Sequence, residues 1–291
     1  VDYGTTELNL GEWLAMKWMT SYKLNHIRTA VSGLTRPSGS TRVVYVFGCQ
    51  RSGTTMLVSL LGLDPRARTY DDGDARYFYW DDAPRLRPWE DVRAKIRAER
   101  NAFTVLKPLC ESQRAGELLA QTDDSRGIWI FRDYRGCVAS HMKYYRQVHD
   151  WHRYIAELLN VDEPSWKNEH LGEQVVDVLR SKASKPLNEE TGYALYWLAR
   201  NSLVLGQPRQ RLKLLCYEHL LREPLEQSAE LFRFTGIPYQ ERYTRIIKAQ
   251  PTKHADGLHI DHDIAERCET LYRQLLGTVE AQNVHERAMS A

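Results

Sequence analysis

Gly48-Cys49-Gln50-Arg51-Ser52-Gly53-Thr54-Thr55 stands between the apolar run Val43 to Phe47 and the apolar stretch Met56 to Leu61, an order that predicts strand, glycine-bearing loop and helix. Such a junction is an anion cradle. The N–H groups that open a helix lack intrahelical acceptors, and the helix dipole adds positive charge at the same place. Set against the nucleotide-binding pattern G-x-x-x-x-G-K-[ST], the segment keeps both glycines and the final hydroxyl, but Thr54 occupies the lysine position and the cation is Arg51. In that pattern the lysine reaches the β- and γ-phosphates. Its loss argues against ATP or GTP hydrolysis and leaves a site for a shorter anion.

Further short apolar runs at Phe103 to Leu106, Gly127 to Phe131 and Leu212 to Tyr217 are separated by helical-length sequence. Strands alternating with helices predict an α/β fold, a three-layer α/β/α arrangement around a central, mostly parallel sheet. Ligands of such sheets gather beyond the carboxyl ends of the strands, where the loop at 48–55 lies. Core helices are predicted over Thr191 to Leu205 and Glu226 to Phe234. An amphipathic helix at 7–31, followed by the breaker Arg36-Pro37-Ser38-Gly39-Ser40, makes 1–42 an N-terminal helical extension. The charged stretch 149–188, with only a weak apolar repeat, is expected to form a helical cover over an acceptor site. The whole chain, 1–291, is read as a single domain.

Composition narrows the function classes. The 291 residues are 42% hydrophobic and 27% charged, with a formal net charge of +2, so no extended basic field points to nucleic acid. Cys49, Cys110, Cys137, Cys216 and Cys268 are far apart with no C-x-x-C pair, which indicates neither a zinc site nor a disulfide framework and fits a reducing, cytoplasmic location. No apolar stretch approaches the roughly 20 residues of a membrane span. The chain begins with Val1, so an upstream segment is compatible with the sequence.

Ile128-Trp129-Ile130-Phe131-Arg132-Asp133-Tyr134-Arg135-Gly136-Cys137-Val138-Ala139-Ser140 repeats the strand, loop and helix order. Arg132 ends the strand and Ser140 follows in the helix; an arginine fork and a hydroxyl converging on one point suit a phosphate monoester. Two anion sites on two loops ask for a ligand with two separated anionic groups. The pair resembles the sulfotransferase family that uses 3′-phosphoadenosine-5′-phosphosulfate (PAPS). There a loop of the form [RK]-S-G-T-T cradles the 5′-phosphosulfate and an R-x7-S segment holds the 3′-phosphate. Arg51, Ser52, Gly53, Thr54 and Thr55 match the first, and Arg132 with Ser140 the second. Tyr217-Glu218-His219-Leu220-Leu221-Arg222-Glu223-Pro224 is similar to the family's Y-E-D-L-x-x-x-P stretch, with His219 at the aspartate position.

The arginine loop and the acidic cluster after Pro65-Arg66-Ala67-Arg68 are closer to the tyrosylprotein-type and bacterial branch than to the small-phenol branch. That resemblance implies a P-loop-like fold, a carboxylate base soon after the loop's helix, at Asp72 with Asp71 and Asp74 as competitors, and an active-site lysine at Lys107. It implies no metal, although Asp71, Asp72 and Asp74 form an acidic triplet of the kind that binds magnesium. The expected reaction moves a sulfuryl group in line to a hydroxyl, or second an amine, of an organic acceptor. Arg51, Lys107 and loop N–H groups would stabilise the departing 5′-phosphate and Asp72 would accept the proton. A non-catalytic nucleotide-binding module and an ATP-dependent P-loop kinase are the alternatives. His141 and His149 read as surface or core residues, Tyr77-Phe78-Tyr79-Trp80 as core aromatics before pocket lining, and Lys253 as a possible nucleotide contact. Acceptor identity and oligomeric state are not encoded in any segment that can be matched.

Overall fold

The computed structural model describes residues 41–145, 150–247 and 257–290. The expected helix at 7–31, the linker after it, His149 and Lys253 lie outside the described residues. In chain order the elements are β1 (Arg42–Gly48), α1 (Thr54–Leu61), β2 (Ala67–Tyr70), β3 (Phe78–Trp80), β4 (Pro84–Leu86), α2 (Trp89–Glu99), β5 (Phe103–Leu106), a 3-10 turn (Leu109–Arg114), α3 (Ala115–Ala120) and β6 (Arg126–Phe131). There follow α4 (Tyr134–Tyr145), α5 (Trp151–Leu159), α6 (Glu173–Ala183), α7 (Glu189–Ser202), β7 (Leu212–Cys216), α8 (Tyr217–Arg222), α9 (Pro224–Thr235) and α10 (His262–Ser290), with short 3-10 turns after α7 and α9.

From Val43 to Gly48 every residue of β1 is buried. A strand covered on both faces belongs inside a parallel sheet. β1 is the middle of five strands in the order β2-β5-β1-β6-β7, each neighbouring pair parallel. Its side chains alternate between two cores. Val43, Tyr45 and Phe47 pack with Trp129, Phe131 and residues of α4, α7 and α10, whereas Val44 and Val46 pack with Ile128, Ile130, Leu215 and residues of α1, α8 and α9. That alternation is the three-layer α/β/α arrangement expected. From β1 the chain turns to β2 and β5 on one side, and from β6 to β7 on the other. The crevice beyond the carboxyl ends of β1 and β6 is therefore the topological switch point, where open α/β sheets bind ligands.

Three differences from the sequence reading have physical causes. β2 was not anticipated because Ala-Arg-Thr-Tyr carries little apolar signal; it is an edge strand with half-buried Arg68 and Thr69. Tyr217 starts α8 and does not end β7. Tyr77-Phe78-Tyr79-Trp80 enters a small antiparallel hairpin, β3 with β4, in which Tyr77 and Phe78 are buried while Tyr79 and Trp80 are exposed. The stretch 151–183 does form helices, α5 and α6, whose Ile155, Leu158, Val178 and Leu179 join the same core as α7.

The long helix α10 was also not read from the sequence. It buries Ile264, Cys268, Leu271, Leu275 and Val279 at spacings of three and four residues between charged positions. Near its end it closes the sheet: Gln282 Oε1 accepts the Leu214 N–H at 3.0 Å and Gln282 Nε2 donates to the Leu212 carbonyl at 3.0 Å. One side-chain amide thus occupies the open edge of β7, a common aggregation hazard in sheets. Gln282→Ala is expected to lower unfolding free energy by about 1–3 kcal/mol, the cost of stranding buried backbone groups, as measured by urea denaturation.

Candidate active site at the sheet switch point

The loop leaving β1 folds back on itself through three residues with positive φ: Gly48 (138°), Arg51 (66°) and Gly53 (91°). Glycine is required at two of them. A Cβ on Gly48 would lie 2.3 Å from the Ile130 carbonyl oxygen, and one on Gly53 would lie 2.5 Å from the Tyr217 ring. With Gly53 as N-cap and no side-chain cap, the first N–H groups of α1 open into the loop. Ser52 and Thr54 are buried in the loop wall. The loop is anchored from below, since the Gly48 N–H donates to Ser112 Oγ at 3.3 Å and the Cys137 thiol donates to the Gln50 carbonyl at 3.2 Å.

Arg132 leaves the end of β6 and lies along the start of α4. Its guanidinium stacks on the Tyr217 ring at 4.8 Å and rests over Gly136, where a Cβ would sit 2.8 Å from Nε. The buried Nε has no hydrogen-bond partner; the carboxylate of Glu218 lies 3.9 Å away. A buried, unpartnered guanidinium N–H beside a glycine cradle is a donor held ready for an anion. The sequence places Arg51 and Ser140 in different grips, yet Arg51 Nε donates to Ser140 Oγ at 3.2 Å while its guanidinium lies 4.2 Å from the Tyr144 ring. The two grips are therefore contiguous: Arg51 spans from the first loop to the helix of the second.

Asp72 and Lys107 come together at the carboxyl ends of β2 and β5, an ion pair of 3.2 Å in which the Lys107 side chain is only 8% exposed. A strand-end lysine is exposed by default; this one is covered, and its backbone N–H extends the β2–β5 pairing by donating to the Tyr70 carbonyl at 3.0 Å. The competing aspartates are engaged locally. Asp71 Oδ1 accepts the Gly73 N–H at 3.1 Å, and Asp74 takes the Arg76 N–H at 3.0 Å and both prongs of its guanidinium. Among the described residues no group of three or more His, Cys, Asp or Glu side chains gathers as a metal site. His141 is a core residue, stacked on Tyr193 with ring centroids 5.1 Å apart.

One helix sets the spacing of all these parts. Tyr196 on α7 donates its hydroxyl to the Gln50 side chain in the first loop, and Trp197 Nε1 donates to the Arg132 carbonyl at 2.9 Å. One turn on, the fully buried Arg200 donates to the Leu109 carbonyl at 2.9 Å, two residues past Lys107. Sequence reading identified α7 as core from its leucines and missed these three polar contacts. The available signal was an arginine and an asparagine within an otherwise buried helical face. Glu218, quoted in the Tyr217–Pro224 stretch but given no role there, is largely covered and accepts the Asp133 N–H, and burial holds its carboxyl above the usual range despite that bond and the nearby Arg132.

A five-stranded parallel sheet carries at its switch point a glycine-bearing loop, the Arg51–Ser140 contact and the unpartnered Nε of Arg132, with a lysine–aspartate pair at the neighbouring strand ends. The Sulfotransferase domain profile matches residues 42–255, most of the chain, and the chain belongs to the sulfotransferase family. A search of curated proteins finds no match. Among solved structures it is similar to a sulfotransferase from Alicyclobacillus acidocaldarius (12% identity, TM-score 0.48, covering 84% of this chain and 96% of that one). It is also similar to the sulfotransferase domain of the curacin biosynthetic pathway (13%, 0.45, 82% and 98%) and to mouse sulfotransferase SULT7A1 complexed with PAP (13%, 0.46, 87% and 90%). The protein is a sulfotransferase with an α/β fold. No helix of the described residues is long and apolar enough to cross a membrane.

Proposed function

We propose that the chain moves the sulfuryl group of PAPS to a hydroxyl of an organic acceptor. The observation that carries this reading is Arg51 donating to Ser140 across the two loops, together with the unpartnered Arg132 Nε over the Gly136 cradle in the second, which fits a nucleotide charged at both its 3′ and 5′ positions. The residues present suit the donor: Arg132, Ser140 and the Gly136 cradle would hold the 3′-phosphate, and Arg51, Ser52, Gly53, Thr54 and Thr55 the 5′ end. PAPS supplies a sulfuryl group already attached to a good leaving group, the 5′-phosphate. Lys107, with Arg51 and the loop N–H groups, offers positive charge where the bridging oxygen becomes anionic, worth about 3 kcal/mol for a single well-placed donor. Asp72 accepts the acceptor's proton as the new S–O bond forms and the old one breaks.

Helices α5 and α6 are proposed to cover the acceptor side, and the five unpaired, buried cysteines support a reducing compartment such as the cytoplasm. Incubation with PAPS or with ATP distinguishes the readings. Free 3′,5′-bisphosphoadenosine is the expected product; ADP, or tight binding without turnover across a broad acceptor panel, overturns it.

The cradle under Arg132 yields a sharper expectation. Gly136→Ala adds a methyl group that displaces the guanidinium, yet alanine suits a helix better than glycine by about 1 kcal/mol. Thermal stability should stay level or rise. Affinity for 3′,5′-bisphosphoadenosine, read by calorimetric titration, should fall about tenfold, the loss of one charge-assisted bond.

A further inference from the structure

Glu218 sits behind the Arg132 grip and belongs to no step described above. Its two oxygens accept the Asp133 N–H at 3.3 Å each, and Oε2 also takes the Cys216 thiol at 3.4 Å and the Tyr272 hydroxyl at 3.4 Å. Oε1 faces Arg132 Nε at 3.9 Å, too long for a hydrogen bond and close enough for strong attraction. The carboxylate is thus tied to the β6–α4 loop, to β7 and to α10 at once, while the Arg132 guanidinium beside it keeps an Nε–H with no hydrogen-bond partner.

We propose that Glu218 is the resident counter-ion of Arg132, a carboxylate that competes with an incoming 3′-phosphate for the same guanidinium, so that binding a 3′-phosphorylated nucleotide takes up a proton at Glu218. This rests on the reading of Arg132 as the 3′-phosphate grip. Two anionic groups that share one cation in a largely covered place repel each other, and the pair relieves that repulsion by holding a proton, on Glu218 where burial already favours the neutral form. The groups facing Glu218 are consistent with that outcome. Arg132 is the cation from the β6–α4 loop, Cys216 from β7 and Tyr272 from α10 are neutral donors, and the Asp133 carboxylate turns away to Arg135 at 3.5 Å. On its own helix, burial and Arg222 lower the proton affinity of His219. Burial already raises Glu218 above an ordinary carboxylic acid, and a phosphate dianion drawn to the same guanidinium acts in the same direction. A grip built this way weakens as pH rises, because the ligand must then displace an ionised Glu218, and it releases a 3′-phosphorylated product more readily than an unopposed arginine.

The test is calorimetric titration with 3′,5′-bisphosphoadenosine at about pH 8, where the phosphates are fully ionised, in two buffers of different ionisation enthalpy. Net proton uptake is expected for the native protein, and none with adenosine 5′-monophosphate. Glu218→Gln should abolish the uptake and bind the bisphosphate about tenfold more tightly at that pH, the gain of roughly one charge-assisted bond. Equal uptake in the native and Glu218→Gln proteins, or weaker binding by the variant at every pH, overturns the proposal. A native protein that does not distinguish bisphosphate from monophosphate overturns the reading of Arg132 itself, and this proposal with it. Should Glu218→Gln fail to fold, Tyr272→Phe removes one donor to the carboxylate; the pH at which affinity declines should then move upward, and an unmoved profile counts against the proposal.

Discussion

Replacing Arg132 by alanine is expected to erase the preference for a 3′-phosphorylated nucleotide. Two charge-assisted hydrogen bonds to a phosphate contribute about 1.5 kcal/mol each, so affinity for 3′,5′-bisphosphoadenosine should drop about 100-fold while that for adenosine 5′-monophosphate barely changes. The geometry makes the loss local. Arg132 is held by stacking on Tyr217 and by the Gly136 surface, and it donates through Nε to no protein acceptor, so its removal breaks no internal hydrogen bond at that atom. Glu218 loses its nearby cation but retains the Asp133, Cys216 and Tyr272 donors, which limits the destabilisation. Arg132→Lys separates charge from shape: it keeps the positive charge but lacks the planar fork, and should recover only part of the binding. A bisphosphate-to-monophosphate affinity ratio equal in the native and Arg132→Ala proteins, measured by titration, would remove the 3′ grip from the scheme.

How much of this site was legible beforehand follows from the kind of signal each residue carries. Residues whose placement is dictated by backbone shape were visible: the glycines of the first loop, the strand-ending Arg132 and the hydroxyl eight residues later are fixed by a local strand, loop and helix order. The fold was visible for the same reason, because β1, β5 and β6 are short apolar runs buried on both faces. Contacts between elements distant in sequence were not. The joint of Arg51 to Ser140 spans 89 positions, and Tyr196 to Gln50 spans 146. No periodicity records such pairings; they appear only once the sheet order brings the ends of β1 and β6 together above α7. β2 escaped notice because an edge strand of Ala-Arg-Thr-Tyr has no apolar alternation, and α10 because its buried residues are interleaved with charge.

The acidic turn illustrates the same division. Sequence alone left Asp71, Asp72 and Asp74 as rivals, since any of the three satisfies a spacing rule. Their surroundings differ: Asp71 accepts a turn N–H and Asp74 chelates Arg76, whereas Asp72 alone of the three faces Lys107, which favours it as the proposed base. Asp72→Asn is accordingly expected to lower kcat by about 10²- to 10⁴-fold, the usual worth of a positioned general base, with little change in bisphosphate affinity. Asp71→Asn and Asp74→Asn should stay within about twofold in kcat, because an amide oxygen still accepts the turn N–H bonds. The Asp72–Lys107 pair adds a second consequence. In the native protein the aspartate tethers the lysine, so Asp72→Asn releases Lys107 from its ion pair without removing its charge. If Asp72 served only as that tether, Lys107 would still reach the developing charge and kcat would fall by no more than a few-fold. Single-turnover measurements on Asp72→Asn and Lys107→Met settle which role applies: a base predicts a large loss in both variants, whereas a tether predicts a large loss for Lys107→Met alone.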